Sequence, residues 1–310
     1  MPPLRIGVVG IGKIARDQHL PAIGTSQEFA LVGVATRHGE LAGVPTYGSL
    51  EALLDAEDGI EAVSLCTPPV GRHDIARLAL ERGRHVMLEK PPGATVGEVE
   101  HLACLAADRG LTLFCTWHSR EAAGVEPARA WLADRKIVSV EVIWKEDVRR
   151  WHPGQDWIWQ AGGLGVFDPG INALSVLTEI LPDAVRLRGA ELAFPSNRDT
   201  PIAARLDLVT ASGAGIDTDF DWRQTGPQTW DITIETDDGT LELTGGGAQV
   251  RAGGEVLSSA ETLASEYDGI YARFADLIAS RRADVDMRPQ VLVADAFMLG
   301  RRVVTDAFED

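Results

Sequence analysis

The segment GLGVFDPGINALSVL, residues 163–177, carries one carboxylate and one amide in an otherwise apolar, glycine-rich run. Asp168 and Asn172 are four residues apart, so a helix through this segment would place both on one face. A carboxylate is costly to bury without a partner, so Asp168 either starts the helix ahead of Pro169 or takes part in chemistry. These residues alone leave both interpretations open.

A second chemical pattern, Gly-x-Gly-x-x-Ala, occurs in VVGIGKIA, residues 8–15. Gly10 allows a tight turn, Gly12 lets the main chain approach a pyrophosphate, and Ala15 lets a helix pack closely on a strand. The start of that helix offers N–H groups to phosphates. Because the pattern follows a strand and opens a helix, it predicts a dinucleotide site; a simple glycine turn is the alternative.

The end of the next strand, VATRHG at residues 34–39, bears on the choice of nucleotide. An NAD-specific site usually places a carboxylate here for the ribose 2′-hydroxyl, whereas Thr36 and Arg37 suit the 2′-phosphate of NADP. We therefore predict NADP as the preferred cofactor, with NAD as a second, accepted one. The alternative for Arg37 is a solvated loop charge.

The N-terminal third alternates short apolar strands with amphipathic helices, which indicates a parallel sheet with helices on both faces. Strands are predicted at residues 4–10, 29–36, 61–67, 85–90 and 111–116. Ligands of such sheets bind beyond the carboxyl ends of the strands. The predicted cofactor contacts are Gly10, Ile11, Gly12, Lys13, Ile14, Thr36, Arg37, His38, Thr67, Pro68, Pro69, His73, Glu89 and Lys90.

Beyond Arg120 the pattern changes to strands that alternate apolar with polar residues, separated by glycine- and aspartate-rich turns. This favours an antiparallel sheet with one covered face. We predict a dinucleotide-binding domain at 1–120 and a substrate domain at 121–310, whose last helix, about 289–304, packs back on the body. Asp217, Asp219 and Asp221 share one strand face, which favours a solvated surface; an oligomer contact is the alternative.

The composition excludes several partners. Of 310 residues, 45% are hydrophobic and 24% charged, as in soluble globular proteins, and the formal net charge of -17 repels nucleic acid and anionic lipid. No apolar run is long enough to span a membrane. The N-terminus leads directly into a strand, without the pattern of a secretory signal. Cys66, Cys104 and Cys115 lie in apolar settings and are interpreted as small core residues in a reducing, cytoplasmic compartment.

Four motifs together resemble the glucose–fructose oxidoreductase / inositol dehydrogenase family: VVGIGKIA, CTPP (66–69), EKPPG (89–93) and GGLGVFDPGIN (162–172). Within this family, HVMLEKPPGAT, TWHSR and WKEDVRRWHPGQ are most similar to the bacterial L-arabinose/D-galactose 1-dehydrogenases. The resemblance covers essentially the whole chain. It implies a Rossmann domain, a second α+β domain with a large, open, mainly antiparallel sheet, and NAD(P)-dependent oxidation of the anomeric carbon of a pyranose to the lactone.

The resemblance also implies that Lys90 is the active-site lysine and that Asp168 lies beside it. Asn172 stands where the wider family usually has histidine, and an amide cannot act as a base near neutral pH. Proton transfer therefore falls to Lys90 or Asp168, and Asn172 would hydrogen-bond a sugar hydroxyl. An ordinary loop ion pair is the alternative for Lys90.

The segment WKEDVRRWHPGQDWIW, residues 144–159, combines four tryptophans with a histidine and several charges. Sugar sites pair flat aromatic faces with carboxylates and amides. The predicted substrate contacts are Asn172, His118, Glu146, Trp151, His152 and Trp230, although each tryptophan is equally well a core residue. No helix-borne metal motif is present, so no metal is expected.

Two other functions stay open: a non-catalytic regulator that binds nucleotide and sugar with the same fold, and an oxidoreductase of this family that acts on another polyol or sugar. The expected partner is a small-molecule sugar, and a homo-oligomer through the C-terminal sheet is a further alternative.

Overall fold

The computed structural model describes residues 2–37, 39–260 and 264–309. These residues form two compact units. The first lies within Met1–His118 and Leu263–Asp286, and the second within Ser119–Thr262 and Met287–Asp310.

The first unit contains, among its described residues, a six-stranded sheet in which all neighbouring strands are parallel. Its strands are β1 (Leu4–Val9), β2 (Phe29–Ala35), β3 (Thr46–Tyr47), β4 (Ala62–Leu65), β5 (His85–Leu88) and β6 (Leu113–Cys115). Their order is β3-β2-β1-β4-β5-β6, so the direction of winding reverses next to β1, where ligands of such sheets bind. The predicted parallel sheet is confirmed; β3, with two residues, is too short to leave a periodic signal.

Helices connect these strands, and their starts follow local sequence signals. They are a π-helical turn (Ala15–His19) that continues as α1 (Leu20–Thr25), α2 (Leu50–Ala56), α3 (Arg72–Glu81) and α4 (Val96–Asp108). At the start of α4, Thr95 Oγ1 accepts a hydrogen bond from Glu98 N at 3.2 Å. The Glu98 carboxylate in turn accepts one from Ala94 N at 3.0 Å, which completes a reciprocal cap.

A helix from far along the chain completes the core of the first unit. This helix, α8 (Ala264–Ser280), buries Tyr267, Tyr271 and Phe274 among side chains of β1 and β2. Phe274 stacks on Phe29, with ring centroids 5.6 Å apart. The predicted boundary at residue 120 leaves this helix in the second domain, whereas its apolar face packs in the first unit.

The second unit is organised around a nine-stranded sheet, counted over its described residues. Its strands are β7 (Ile137–Lys145), β8 (Val185–Pro195), β9 (Ala203–Thr210), β10 (Gly215–Asp221), β11 (Thr229–Thr236), β12 (Gly239–Thr244), β13 (Gln249–Ala252), β14 (Glu255–Ser259) and β15 (Arg301–Thr305). The order is β14-β13-β12-β11-β7-β10-β9-β8-β15, and neighbours are antiparallel except β7 with β10 and β8 with β15. The expected large, mainly antiparallel sheet is confirmed.

The helices of the second unit are α5 (Val125–Leu132), α6 (Val148–Trp151), α7 (Phe167–Ile180) and α9 (Arg288–Leu299). The prediction of one helix over about 289–304 is wrong beyond Leu299. Gly300 adopts an extended conformation, and the residues after it form β15 beside β8. The β-branched side chains of Val303, Val304 and Thr305 favour a strand over a helix.

Two smaller expectations bear on the surface. Cys66 and Cys115 are buried as predicted, but Cys104 is exposed on α4, so it is not a core residue. Two of the aspartates of β10 have cationic neighbours: Lys145 Nζ lies 2.6 Å from Asp219, and Arg223 Nη2 lies 2.6 Å from Asp221. Within the described part of the chain, no helix is long and apolar enough to cross a membrane.

Candidate functional site

The glycine turn after β1 has the geometry of a phosphate cradle. Gly10 has a φ of +86°, and a Cβ there would lie 3.0 Å from Thr67 N, so only glycine fits. A Cβ on Gly12 would meet no atom within 4 Å, which leaves its main chain open to approach. The first main-chain bond of the helix runs from Arg16 N to Gly12 O, so the preceding N–H groups are available to an anion. This turn fits the pyrophosphate of a dinucleotide.

Cationic and hydroxyl side chains lie at the carboxyl end of β2, the strand next to β1 in the sheet. Thr36, half-buried, and Arg37, exposed, follow β2 directly. The Arg16 guanidinium donates from Nε to Ile11 O at 3.0 Å, and a Cβ on Gly39 would lie 3.7 Å from its terminal nitrogen. The structure thus brings Arg16 to the loop that carries Arg37. His38, also predicted as a cofactor contact, lies outside the described residues.

Arg72, a buried residue that the sequence analysis did not select, joins the loops after β4 and β5. Its guanidinium donates to the main-chain oxygens of Thr67, Glu89 and Pro91. The predicted contacts Thr67, Pro68, Pro69 and Lys90 therefore lie on loops held by one side chain. Three separate carbonyls suit the planar fork of arginine donors.

Other predicted cofactor contacts have neighbours of their own. Lys13 forms an exposed ion pair with Asp17, one turn along the helix. His73, on α3, lies with its Nε2 2.9 Å from His101 Nδ1 of α4. Lys90 is half-buried at the end of β5. Glu89, next to it, points its carboxylate into the interior, whereas the sequence analysis expected this residue at the cofactor.

The Glu89 carboxylate belongs to a buried polar group, here called the Glu89 cluster, that comprises His19, Glu89, Tyr267 and Tyr271. Glu89 Oε1 accepts a hydrogen bond from Tyr267 Oη at 2.7 Å and lies 3.4 Å from His19 Nε2. His19 Nδ1 lies 2.8 Å from Tyr271 Oη. Buried polar groups are stable only when paired, and here each has a partner.

The contacts within the Glu89 cluster shift the pKa values of its carboxyl and imidazole groups. Burial alone would raise the pKa of the Glu89 carboxyl, but the hydrogen bond and charge of His19 lower it. The charges of His118 and Lys90 lower it further, and the resulting pKa is about 2. Burial alone would lower the pKa of His19, but its contacts with Cys66, Tyr271 and Glu89 raise it well above the usual value. The cluster therefore favours an ionised Glu89 carboxylate beside a His19 imidazole whose pKa is raised.

The second unit has its own polar group, here called the Glu146 cluster, made of Glu146, His152 and Asp168. Glu146 follows β7, and its two carboxylate oxygens accept hydrogen bonds from Trp222 Nε1 and Trp230 Nε1, each at 3.1 Å. Indole N–H groups only donate, so they orient this carboxylate without neutralising it.

His152 stands between the two carboxylates of this cluster. Its Nε2 lies 3.4 Å from Asp168 Oδ2 and 3.8 Å from Glu146 Oε1. Both carboxylates are at least nine-tenths buried. The structure thus brings together three residues that the sequence analysis named separately.

Asp168 does not cap its helix. The helix α7 begins after Val166, without a side-chain cap, and Asp168 lies inside the first turn. The capping interpretation is therefore wrong, and the carboxylate instead faces His152. Asn172 follows one turn later on the same helix, half-buried, as the four-residue spacing predicts.

Tryptophans flank the Glu146 cluster. Trp151 and Trp230 are half-buried, and their ring centroids are 5.6 Å apart. Trp151 Nε1 also donates to Gln228 Oε1 at 3.4 Å. Trp222 is fully buried and packs 5.1 Å from the ring of His152. Partly exposed indoles next to carboxylates can cover one face of a sugar ring while the carboxylates bind its hydroxyls.

His118, predicted as a substrate contact, is placed in the first unit. Its Nδ1 lies 2.7 Å from Glu266 Oε2, and its ring stacks on Tyr267 at 5.4 Å. Tyr267, Tyr271 and Trp222 were not predicted as site residues. Two of the chain's three tyrosines lie one turn apart in SEYDGIYARF, a spacing that could have marked a polar seam on an apolar helix face.

Over the residues described, no group of three or more histidine, cysteine, aspartate or glutamate side chains is arranged to hold a metal ion.

Comparison with known proteins shows similarity along the whole chain. A model of the oxidoreductase family with an NAD-binding Rossmann fold matches residues 4–116. The chain is 44% identical to the galactose 1-dehydrogenase of Pseudomonas fluorescens, over 100% of both sequences. It is 30% identical over 252 residues to the D-xylose 1-dehydrogenase (NADP(+)) 2 of Haloferax volcanii, which covers 77% of this chain and 75% of that protein. A crystal structure of the D-galactose-1-dehydrogenase protein from Rhizobium etli matches with a TM-score of 0.94 and 54% identity, over 100% of this chain and 99% of that one.

Proposed function

The chain belongs to the oxidoreductase family with an NAD-binding Rossmann fold, and we propose that it is an aldose 1-dehydrogenase that oxidises the anomeric carbon of galactose-configured pyranoses with NADP. L-arabinose and D-galactose share their configuration from C1 to C4, so a site that binds these hydroxyls accepts both. The expected product is the lactone.

The observation that carries this proposal is the Glu146 cluster: two buried carboxylates on either side of His152, next to two half-buried indoles. A ring with several adjacent hydroxyls on one side and C–H groups on the other suits this combination. The similarity to two galactose 1-dehydrogenases supports galactose as the configuration that fits.

The glycine turn, the helix start and the loops joined by Arg72 are the residues that would hold the nucleotide. When bound, its nicotinamide supplies the hydride acceptor for the oxidation. The protein's own task is to orient the sugar and to remove the proton of the anomeric hydroxyl.

For that proton we propose Lys90 and Asp168 as the acting groups. Both are typical proton-transfer residues, and the neighbouring Asn172 amide is not basic near neutral pH. His152 lies within 3.4 Å of Asp168 and gives the proton a further acceptor. Asn172 and Glu146 bind hydroxyls of the sugar in this proposal.

NADP is the proposed preferred nucleotide because two guanidinium groups come to the loop after β2: Arg37 belongs to this loop, and the side chain of Arg16 reaches it from the helical turn after β1. Among the described residues at this strand end no carboxylate stands directly after Ala35, where an NAD-specific site places one. Arginine pairs well with a phosphate.

A cytoplasmic location and a homo-oligomer through the open sheet stay predictions.

A panel of sugars tests the activity. Initial rates with NADP are followed at the nicotinamide absorbance for L-arabinose, D-galactose, D-glucose, D-xylose and myo-inositol. We expect kcat/KM to be at least about 10-fold higher for the two galactose-configured sugars than for the others. If NADP is reduced with myo-inositol but with none of the aldoses, the substrate is a polyol and not an aldose. If NADP is reduced with none of these compounds, a non-catalytic regulator is favoured.

The same assay with Arg37→Ala and Arg16→Ala tests the nucleotide. Loss of one phosphate contact should raise the KM for NADP about 10-fold and leave the KM for NAD nearly unchanged. Arg109→Ala, on the surface between α4 and β6, is the matched control. Equal losses with both nucleotides would contradict the proposed 2′-phosphate contact.

A further inference from the structure

Gln228, which lies in the connection between β10 and β11, joins two segments of the second unit. Its side chain is half-buried. Its Oε1 accepts hydrogen bonds from Asp147 N at 2.5 Å and from Trp151 Nε1 at 3.4 Å. Its Nε2 donates to Gly226 O at 2.7 Å and to Gln224 O at 3.2 Å. One side chain thus connects its own loop to the segment that carries three of the proposed substrate contacts.

The chemistry of these partners fixes the orientation of the Gln228 amide. Both groups that face Oε1 are N–H donors, and both groups that face Nε2 are carbonyl acceptors. A flipped amide would lose all of these hydrogen bonds. Glutamate offers acceptors alone, and methionine or leucine offers neither a strong donor nor a strong acceptor. Both halves of the glutamine side chain are therefore matched to this position.

The hydrogen bonds of Oε1 hold the two ends of helix α6. Asp147 is the residue before this helix, and its carboxylate caps the helix by accepting from Arg149 N at 3.1 Å. Trp151 is the last residue of the helix. A helix of one turn does not form by itself, because it fixes many dihedral angles for few hydrogen bonds. Helix α6 therefore depends on groups outside it, and Gln228 contacts both of its ends.

A main-chain hydrogen bond joins the same two segments at the start of the helix. Val148 is buried, and its N–H donates to Trp222 O at 3.1 Å. Gln228 adds a contact at the other end of the helix, with the indole of Trp151, whose ring centroid lies 5.6 Å from that of Trp230. Loss of the Gln228 amide should therefore change the spacing of the two indoles while the main-chain pairing keeps the segment in place.

We propose that Gln228 is a positioning residue of the sugar site: its amide holds α6 so that the indole of Trp151 and the imidazole of His152 are in place before a sugar binds. His152 follows the helix directly, and its N–H donates to Val148 O at 2.8 Å. A site assembled in advance loses less conformational entropy on binding. The inference rests on the proposed function, since that function makes Trp151 and His152 substrate contacts.

Steady-state kinetics with D-galactose test this role. Gln228→Leu removes the amide at similar size, and Gln249→Leu, at an exposed position of β13, is the matched control. The KM for the sugar should rise about 10-fold in Gln228→Leu, because part of the binding energy is then used to order α6. The kcat and the KM for NADP should change less than about threefold, and the control should keep all constants.

A purely structural role for Gln228 predicts a different result. A smaller folded fraction lowers the apparent kcat and leaves the KM for the sugar unchanged. That outcome would overturn the inference.

Gln228→Glu separates the two halves of the amide. A carboxylate still accepts from Asp147 N and Trp151 Nε1, but it cannot donate to the carbonyl groups of its own loop. Because the contact with α6 is kept, we expect the KM for the sugar to rise only about threefold. A rise as large as that in Gln228→Leu would assign the effect to the loop 224–228 and would overturn the proposed role of the helix contact.

Hydrogen exchange tests the contact without turnover. The chain has eight tryptophans, so the ¹⁵N-labelled full-length protein gives eight indole N–H signals, and Trp151→Phe identifies that of Trp151. In Gln228→Leu this indole should exchange about fivefold faster, because its acceptor is gone. The indole of Trp117, which donates to Asp286 O at 2.9 Å in the first unit, should keep its rate.

The two experiments separate the inference from the proposed function. Unchanged exchange at Trp151, or faster exchange with an unchanged KM for the sugar, would overturn the role of Gln228. Faster exchange in a protein that oxidises none of the sugars would instead refute the proposed function and retain the contact between Gln228 and α6.

Discussion

The two polar clusters of this protein contain similar groups but differ in what surrounds them. In the Glu89 cluster a carboxylate and an imidazole are enclosed by fully buried tyrosines, and the side chains of His19 and Glu89 are 0% and 4% exposed. In the Glu146 cluster two carboxylates and an imidazole lie beside half-buried indoles, and the His152 side chain is 15% exposed. The first is closed and satisfied internally; the second is open enough to meet a ligand.

The difference shows how the same residue types serve two purposes. A closed ion pair contributes a fixed charge, because no solvent can reorganise around it. An open pair of carboxylates exchanges its partners for hydroxyls of a bound molecule. The comparison predicts that changes in the open cluster affect the binding of sugar, whereas changes in the closed one affect ionisation and stability.

The largest effect should come from Lys90 and Asp168. Lys90→Ala and Asp168→Asn should each lower kcat by about 1,000-fold or more, because each removes a group that we propose to handle the anomeric proton. Binding of NADP, measured by calorimetry, should change less than about threefold. Lys136→Ala, an exposed lysine, is the control and should keep its full rate.

Near-normal turnover in Lys90→Ala would refute the assignment of this lysine. A loss confined to nucleotide binding would assign it to the cofactor site instead.

A smaller effect, on the KM for the sugar, is expected from a substitution in the Glu146 cluster. Glu146→Gln keeps the shape of the side chain but replaces one carboxylate oxygen with an N–H₂ group, so either Trp222 or Trp230 loses its acceptor. The KM for the sugar should rise about 10- to 100-fold, with a smaller change in kcat and none in the KM for NADP. Initial rates at varied sugar concentration separate these constants.

Trp230→Phe removes one of the two indoles that donate to Glu146. It should also raise the KM for the sugar, by about a tenth of the factor expected for Glu146→Gln. An effect on the KM for NADP larger than that for the sugar would contradict the proposed substrate site.

The smallest effect is a change in the pH dependence of the free energy of unfolding, and we expect it in the Glu89 cluster. The pKa of Glu89 is about 2 in the folded protein against 4.5 usually, so its stabilising contribution is complete above about pH 4.5 and is lost as pH falls toward 2. Glu89→Gln should therefore flatten the fall in the free energy of unfolding across this range, by up to about 1.4 kcal/mol per pH unit.

Urea unfolding of wild type, Glu89→Gln and Glu100→Gln at pH 5 and pH 3 measures this difference; Glu100, an exposed carboxylate of α4, serves as control. Identical slopes in wild type and Glu89→Gln would show that Glu89 is not ionised through a buried pair.

Much of the fold follows from local sequence. The glycine turn, the β5 strand with Lys90, and helix α7 with Asp168 and Asn172 are each marked by periodicity or by turn residues within one segment. Part of the Glu146 cluster can also be predicted from one segment, since Glu146 and His152 lie within six residues of one another. Short segments carry enough information to place such residues on strands, helices or loops.

The closed cluster could not be predicted in this way, because its members come from separate segments. Tyr267 reaches His19 and Glu89 only because α8 packs on the parallel sheet of the first unit. A buried polar side chain also has no periodic signature of its own. The strand β3 was missed because two residues leave no periodic signal, and the switch from α9 to β15 was missed because it depends on pairing with the distant strand β8.

The position of α8 has a consequence for how this protein is made. A ribosome that has released residues 2–118 has delivered all six strands of the parallel sheet, but Phe29 still lacks Phe274, and Glu89 still lacks Tyr267. Those aromatic rings are synthesised about 150 residues later. The core of the first unit can therefore be completed only after residues 119–262, which belong to the second unit, have been synthesised.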